Sequence, residues 1–311
     1  MASIETFALE KTYQAGFWRK KTKGALRPLT LSVPEGEIFG YLGPNGAGKT
    51  TTLRLIMGLA APTGGSFKIL GGAIDDPAIR AQVGFLPEQP YFYDYLTPRE
   101  LLSYFASLSG VAAKYRTRRI EASLKRVGLQ EDAWNTQLRK FSKGMLQRVG
   151  LAQAILHEPK LIVLDEPMSG LDPMGRREVR DLIEELNHER KTIFFSTHIL
   201  SDAEALCDRV AVINRGELRG VGVVADLIGS VKGSVEIMWH GAPASQAVQS
   251  LGFECHTVGE TVRAVVPETE VDRVIDVLRN QRARLVAVTP MRTTLEDYFM
   301  AKLASPMEVP Q

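Results

Sequence analysis

The chain has 311 residues, 44% of them apolar and 24% charged, the balance of a folded globular protein rather than a disordered or membrane-embedded one. A formal charge of +2, from 38 basic and 36 acidic side chains, argues neither for nor against a nucleic-acid partner. With only Cys207 and Cys255, a disulfide framework is excluded and a reducing, cytoplasmic compartment is expected. The length suits two domains.

Met1 to Lys11 is mixed in character and contains Glu5 and Glu10, unlike a secretion leader. After Tyr13, the segment Gly16–Gly24 combines Phe17 and Trp18 with Arg19, Lys20, Lys21 and Lys23. It reads equally as a solvated hairpin tip or as a surface for a membrane or partner. Gly36–Leu42 then reads as an apolar strand entering Gly43-Pro44-Asn45-Gly46-Ala47-Gly48-Lys49-Thr50, a full match to the phosphate loop G-x-x-x-x-G-K-[ST]. Its glycines let backbone N–H groups close around phosphate oxygens. Lys49 supplies a compact positive charge, and Thr50 a hydroxyl for a phosphate-bound Mg²⁺. From Thr51 to Leu59 a helix leaves the loop and offers its positive end to the phosphates.

Further strands are expected at Val83–Leu86, Leu161–Leu164, Thr192–Ser196 and Val210–Asn214. With the helical text between them they make an α/β sheet of mostly parallel strands. From Thr97 to His157 the text is helical, opened by Thr97 as N-cap, Pro98 in the first turn and Glu100 completing a capping box. This is a helical subdomain, residues 92–158, inserted into the sheet domain. Leu161–Leu164 is too short to cross a membrane and ends in Asp165 and Glu166. A buried parallel strand delivers such terminal acids to the sheet edge where ligands bind. Asp165 would hold Mg²⁺, and Glu166 would polarise a water for attack on the γ-phosphate. Thr192–Thr197 brings His198 to the same edge.

Beyond Gly220 the pattern changes. Ser234–His240, Glu254–Val258, Thr261–Val266 and Arg284–Thr289 read as strands, with helices at Pro243–Leu251 and Glu268–Arg282. In the second helix Val271, Val274, Ile275 and Leu278 share a face. The order β-α-β-β-α-β is the ferredoxin-like pattern, a small α+β domain over residues 221–311. A closing helix, Thr293–Leu303, is expected to carry a capping box of Thr293 and Glu296, and Ser305–Gln311 a loose tail. Cys255-His256 makes a poor metal site, because neighbours on a strand face opposite ways.

Phe141-Ser142-Lys143-Gly144-Met145-Leu146-Gln147-Arg148 resembles the signature L-S-G-G-Q-x-Q-R of ATP-binding-cassette (ABC) transporter nucleotide-binding subunits. It reads as a loop opening a helix, Met145–Leu156, whose first N–H groups and serine hydroxyl make an anion-binding surface. The resemblance covers residues 1–220 strongly and 221–311 loosely, and implies a P-loop ABC ATPase core using ATP and Mg²⁺. It implies that Ser142 and Gly144 grip ATP held by a second copy of the chain, two ATPs being buried in a head-to-tail dimer. Tyr13 resembles the residue that stacks on adenine. Ser169-Gly170-Leu171-Asp172 resembles the loop that crosses the dimer interface, and His198 the switch histidine. Glu88, with Gln89 beside it, falls where the family has its metal-shell glutamine. The neighbourhood of Tyr91–Tyr95 resembles the groove that receives a permease helix, though these aromatics could equally be a core.

Lys143 and Met145 depart from the signature, and with Leu86-Pro87-Glu88 and Leu295-Glu296-Asp297-Tyr298-Phe299 they resemble a bacterial exporter subfamily. The implied function is an ATPase subunit that powers export through separate integral membrane permease subunits, peripheral on the cytoplasmic face, with no nucleic acid. The alternative is a cassette without a permease, acting in translation or DNA maintenance.

Overall fold

The computed structural model describes residues 2–15, 21–228, 230–292 and 294–304. Two units divide the chain, residues 1–224 with 302–311, and residues 225–301.

The first unit begins with two long strands, β1 (Ala2–Ala15) and β2 (Lys21–Pro34), then β3 (Ile38–Leu42), α1 (Lys49–Ile56) and β4 (Gly64–Ile69). β1 pairs antiparallel with both β2 and β4. Of the aromatic and basic segment, Gly16–Lys20 lies outside the described residues. A short helix α2 (Pro77–Arg80) and β5 (Val83–Leu86) follow. Next come α3 (Pro98–Leu108), α4 (Ala113–Arg126) and α5 (Lys143–Ile155), which form the expected helical stretch. The capping box at its start is present: Glu100 N–H donates to Thr97 Oγ1, and Thr97 N–H donates to Glu100 Oε2. The unit closes with β6 (Leu161–Asp165), α6 (Pro173–His188), β7 (Thr192–Thr197), α7 (Leu200–Leu206), β8 (Arg209–Asn214) and β9 (Glu217–Val223).

A six-stranded sheet has the order β5-β6-β7-β3-β8-β9, with parallel pairing from β5 to β8 and β9 antiparallel at the edge. β3, β6 and β7 are buried along their whole length, as expected for strands covered on both faces. Phe39 and Tyr41 pack on Phe194 of β7, with ring centroids 5.8 and 5.5 Å apart. Cys207 is a buried core residue against Gly40, where a Cβ would stand 2.6 Å from its Sγ. The parallel register places Leu42 beside Thr197 and Asp165 beside Ser196, so β3, β6 and β7 end together at one edge. That edge holds the candidate site.

After a short helix α8 (Val224–Leu227), the second unit runs β10 (Ser230–His240), α9 (Ala242–Gln249), β11 (Cys255–Val258), β12 (Thr261–Pro267), α10 (Val271–Asn280) and β13 (Arg284–Arg292). Its four strands form one antiparallel sheet, β11-β12-β10-β13. Its core gathers Ile237, Trp239, Val248, Ala264, Val274 and Leu278, with Val271 packed against them. Thr293 lies outside the described residues. The helix α11 (Leu295–Ala304) is capped one residue later than expected, with Asp297 N–H donating to Thr294 Oγ1 and Thr294 N–H to Asp297 Oδ2.

Candidate nucleotide site

The phosphate loop is shaped by backbone constraints that only glycine meets cheaply. Gly46 and Gly48 have φ of +79° and +111°, and a Cβ on Gly43 would stand 2.5 Å from the carbonyl oxygen of Ile213. The loop ends as Lys49 starts α1, so the first N–H groups of that helix face the cavity above.

That cavity, of about 890 Å³, is lined by Pro44, Asn45, Gly46, Ala47, Gly48, Lys49, Thr50 and Thr51, together with Tyr13, Lys23, Glu88, Glu166, Ser169, His198 and Arg215. Lys49 is 6% exposed; its Nζ donates to Gly43 O at 2.6 Å and lies 3.1 Å from Glu166 Oε1. The other oxygen of Glu166 is 2.9 Å from His198 Nδ1. Glu166 is thus held between a lysine and a histidine. It also adopts a φ of +51°, a region costly for a residue with a side chain. One step earlier in the chain, Asp165 accepts a 2.6 Å hydrogen bond from Ser196 Oγ. Burial raises the affinity of Asp165 for a proton; Ser196 and Thr50 donate hydrogen bonds that oppose this, while Glu88 and Glu166 add to it. The Asp165 carboxylate and the Thr50 hydroxyl bonded to it offer two oxygen donors of the kind a hard divalent cation takes.

Glu88 lines both this cavity and a neighbouring cleft with Thr50, Arg54 and Asp165, whereas Gln89 lines only the cleft. Tyr13 is half-exposed, and Lys11 Nζ sits 5.0 Å from its ring centre.

Ser142, Gly144 and Asp172 are elsewhere, in a second cavity of about 860 Å³ with Phe141, Met145 and Arg148. The helix there begins at Lys143, two residues before the expected Met145, because Ser142 is its N-cap: Ser142 Oγ accepts from Met145 N–H at 3.3 Å. Asp172 likewise caps α6, accepting from Gly175 N–H at 2.8 Å. Ser169 belongs to the first cavity and Gly170, Leu171 and Asp172 to the second, so this short segment joins the two. The signature helix is also tied to the acidic strand end, since the buried Gln147 Nε2 donates to Pro167 O at 2.9 Å.

Sequence reasoning missed Ser196, Gln147, Lys23 and Arg215. Ser196 had a signal in its place, a lone hydroxyl near the end of an apolar strand. Tyr91, Tyr93 and Tyr95 are 93%, 55% and 59% exposed, so they are surface rather than core. Cys255 Sγ contacts the carbonyls of Ser245 and Phe253, and no cluster of metal-ligating residues exists among the described residues.

The model of the ABC transporter family matches residues 26–169. An uncharacterized ABC transporter ATP-binding protein of Synechocystis sp. is 43% identical over 96% of this chain and 84% of its own length. The chain belongs to the ABC transporter ATP-binding proteins. The cassette is also similar to the bacitracin transport ATP-binding protein BcrA of Bacillus licheniformis, 45% identical over 61% of this chain and 62% of that one. Among solved structures it resembles a dimeric ATP-binding cassette in a post-hydrolysis state bound to ADP and Pi, with TM-score 0.66 and 27% identity over 71% of this chain and 99% of the other. The first unit has the ABC ATPase cassette fold. The cassette is the ATP-binding and ATP-hydrolysing subunit of an ABC transporter, and uses ATP with Mg²⁺.

Proposed function

We propose that hydrolysis is carried by the cluster Lys49–Glu166–His198 at the mouth of the phosphate loop, beside Asp165 and Thr50. The observation that supports it most is the Glu166 carboxylate, buried yet held by hydrogen-bond-length contacts from Lys49 and His198. Gly43–Thr51 would cradle the phosphates, and Tyr13 would stack on adenine. Lys49 would turn to the outer phosphates, which frees one oxygen of Glu166 to accept a proton from water. His198 would contact the γ-phosphate. Thr50 and Asp165 would hold Mg²⁺, with Glu88 and Gln89 lining the same cleft. When bound, the metal offsets phosphate charge.

The dimer seen for the similar cassette supports a head-to-tail pair of this chain. Ser142 and Gly144 lie in a cavity that the chain's own phosphate loop does not line, so in this reading they complete the site of the second copy. No helix among the described residues is long and apolar enough to cross a membrane. Separate permease subunits would therefore do the crossing, with the cassette peripheral on the cytoplasmic face. The exposed Tyr91, Tyr93 and Tyr95 suit that contact, and the paired motifs Ser142–Met145 and Leu86–Glu88 favour export. Residues 221–311 would be a ferredoxin-like accessory domain that regulates or stabilises the dimer; the run of elements from β10 to β13 supports this reading.

The test is Glu166→Gln. ATP hydrolysis is expected to fall at least a hundredfold while ATP-dependent dimers persist in size-exclusion chromatography; hydrolysis at the wild-type rate would falsify the role given to Glu166. Co-purification with a membrane permease tests the transport reading, and a wholly permease-free protein in the membrane fraction assay would favour the alternative in translation or DNA maintenance.

A further inference from the structure

Two cations in the nucleotide cavity play no part in the phosphate-loop cluster. Lys23 and Arg215 both line it, and neither makes an ion pair with a carboxylate among the described residues. Arg215 stands at the turn between β8 and β9, where Asn214 pairs with Glu217 and only Arg215 and Gly216 connect the strands. Their φ values are +50° and +79°. A two-residue hairpin with both centres at positive φ is a type I′ turn, which favours Asn-Gly or Gly-Gly. An arginine in the first of these positions is locally unfavourable, so turn formation does not account for it.

The turn is fastened to the phosphate loop. Gly216 N–H donates to Ala47 O at 2.8 Å, and Arg27 N–H donates to Gly216 O at 2.8 Å. A Cβ on Gly48 would lie 2.7 Å from Ala25 O and 3.5 Å from Gly216 Cα, which shows how closely the three segments meet. Arg215 is therefore carried on the wall made by Ala47, Gly48 and Lys23–Ala25, while Glu166 and His198 gather about Lys49. Tyr13 lies along β1, paired with Lys23 of β2.

We propose that Arg215, with Lys23 beside it, is a nucleotide-binding residue that grips the inner end of the nucleotide, at the α-phosphate and ribose. This rests on the nucleotide reading of the cavity. A guanidinium presents several N–H donors in a fixed fork and remains charged, so it suits phosphate oxygens. The inner end is common to ATP and ADP. The grip should then strengthen both equally and show in KM rather than in kcat.

The decisive variant is Arg215→Asn, because asparagine is better suited to the turn than arginine. Titration of the full chain with ADP and with ATP is expected to show both bound about tenfold more weakly, a loss of about 1.4 kcal/mol. The melting temperature of the nucleotide-free protein should stay level or rise. Arg215→Lys should recover part of the affinity. Unchanged ADP affinity in Arg215→Asn would overturn the proposal and leave the nucleotide site standing, as would weaker binding matched by a lower melting temperature. Failure of the wild-type chain to bind ADP would overturn both.

Discussion

The phosphate-loop cavity and the signature cavity are built on opposite plans. In the first, charged groups are buried and already in contact: Lys49, Glu166 and Asp165 are at most 7% exposed, and each has a partner in place. In the second, the functional side chains are spent on their own helices, Ser142 as cap of α5 and Asp172 as cap of α6. The first is assembled within a single chain. The second brings together two capped helix N-termini. On the proposed reading, the contrast means that a cassette would hold nucleotide alone and need another copy to enclose it.

The largest expected break in this contrast is Glu166→Gln, tested above, which should stop hydrolysis and leave nucleotide binding. Ser142→Ala should do the reverse at the second cavity. Hydrolysis is expected to fall about tenfold to a hundredfold through loss of the dimer, while ADP affinity of the monomer is unchanged. The lost cap should also cost about 1 kcal/mol of stability, read by denaturant melts. Binding of ADP weakened as much as hydrolysis would show that the two cavities are not separate.

Asp165→Asn sharpens the comparison through pH. Burial holds the pKa of Asp165 above its unfolded value, so the native state binds its proton more tightly. The sign follows: any stabilisation from that proton is present at low pH and is lost as pH rises through the raised folded pKa. In its charged form Asp165 is a burden on the nucleotide-free protein, because burial disfavours that form. Asp165→Asn is therefore expected to raise its stability by about 1 kcal/mol at pH 7, with the difference shrinking toward pH 4. Mg²⁺-dependent hydrolysis should be lost at the same time. A variant less stable than wild type at pH 7 would contradict this account. The smallest effect is expected from Glu88→Gln against Gln89→Ala: Glu88 lines both the nucleotide cavity and the cleft that holds Thr50 and Asp165, whereas Gln89 lines that cleft alone, so Glu88→Gln should shift the Mg²⁺ dependence of hydrolysis by about threefold and Gln89→Ala by less.

Much of the first cavity was legible because its strands are continuous apolar runs that stop at chemistry. Ile38–Leu42, Leu161–Asp165 and Thr192–Thr197 each announce both a buried strand and the residue at its end. The antiparallel sheet of β1, β2 and β4 was not legible. Along β1 the register slips four times against β2, and Ala8 has a φ of +47°, so the period-two alternation that marks a strand is broken. At the start of β4, Gly64-Gly65 carries no side chains to show an alternation. The start of α5 was misplaced because Lys143-Gly144 looks like loop, while Ser142 is in fact the cap. Thr293 and Thr294 each precede an acid by three residues, Glu296 and Asp297, so the sequence holds two equivalent capping boxes and the structure uses the second. Arg215 was invisible because its meaning comes from a hairpin that folds back onto a loop some 170 residues earlier in the chain.

The segment Ser169–Asp172 has one consequence for kinetics. Ser169 lines the phosphate-loop cavity, and Asp172, three residues on, lines the signature cavity that is proposed to face the other copy. In a pair of cassettes every compartment would then share a wall with its neighbour through this loop. Two such compartments do not keep independent clocks. ATP turnover should rise with a Hill coefficient above one, and a pair carrying Glu166→Gln in a single copy should lose well over half of its activity.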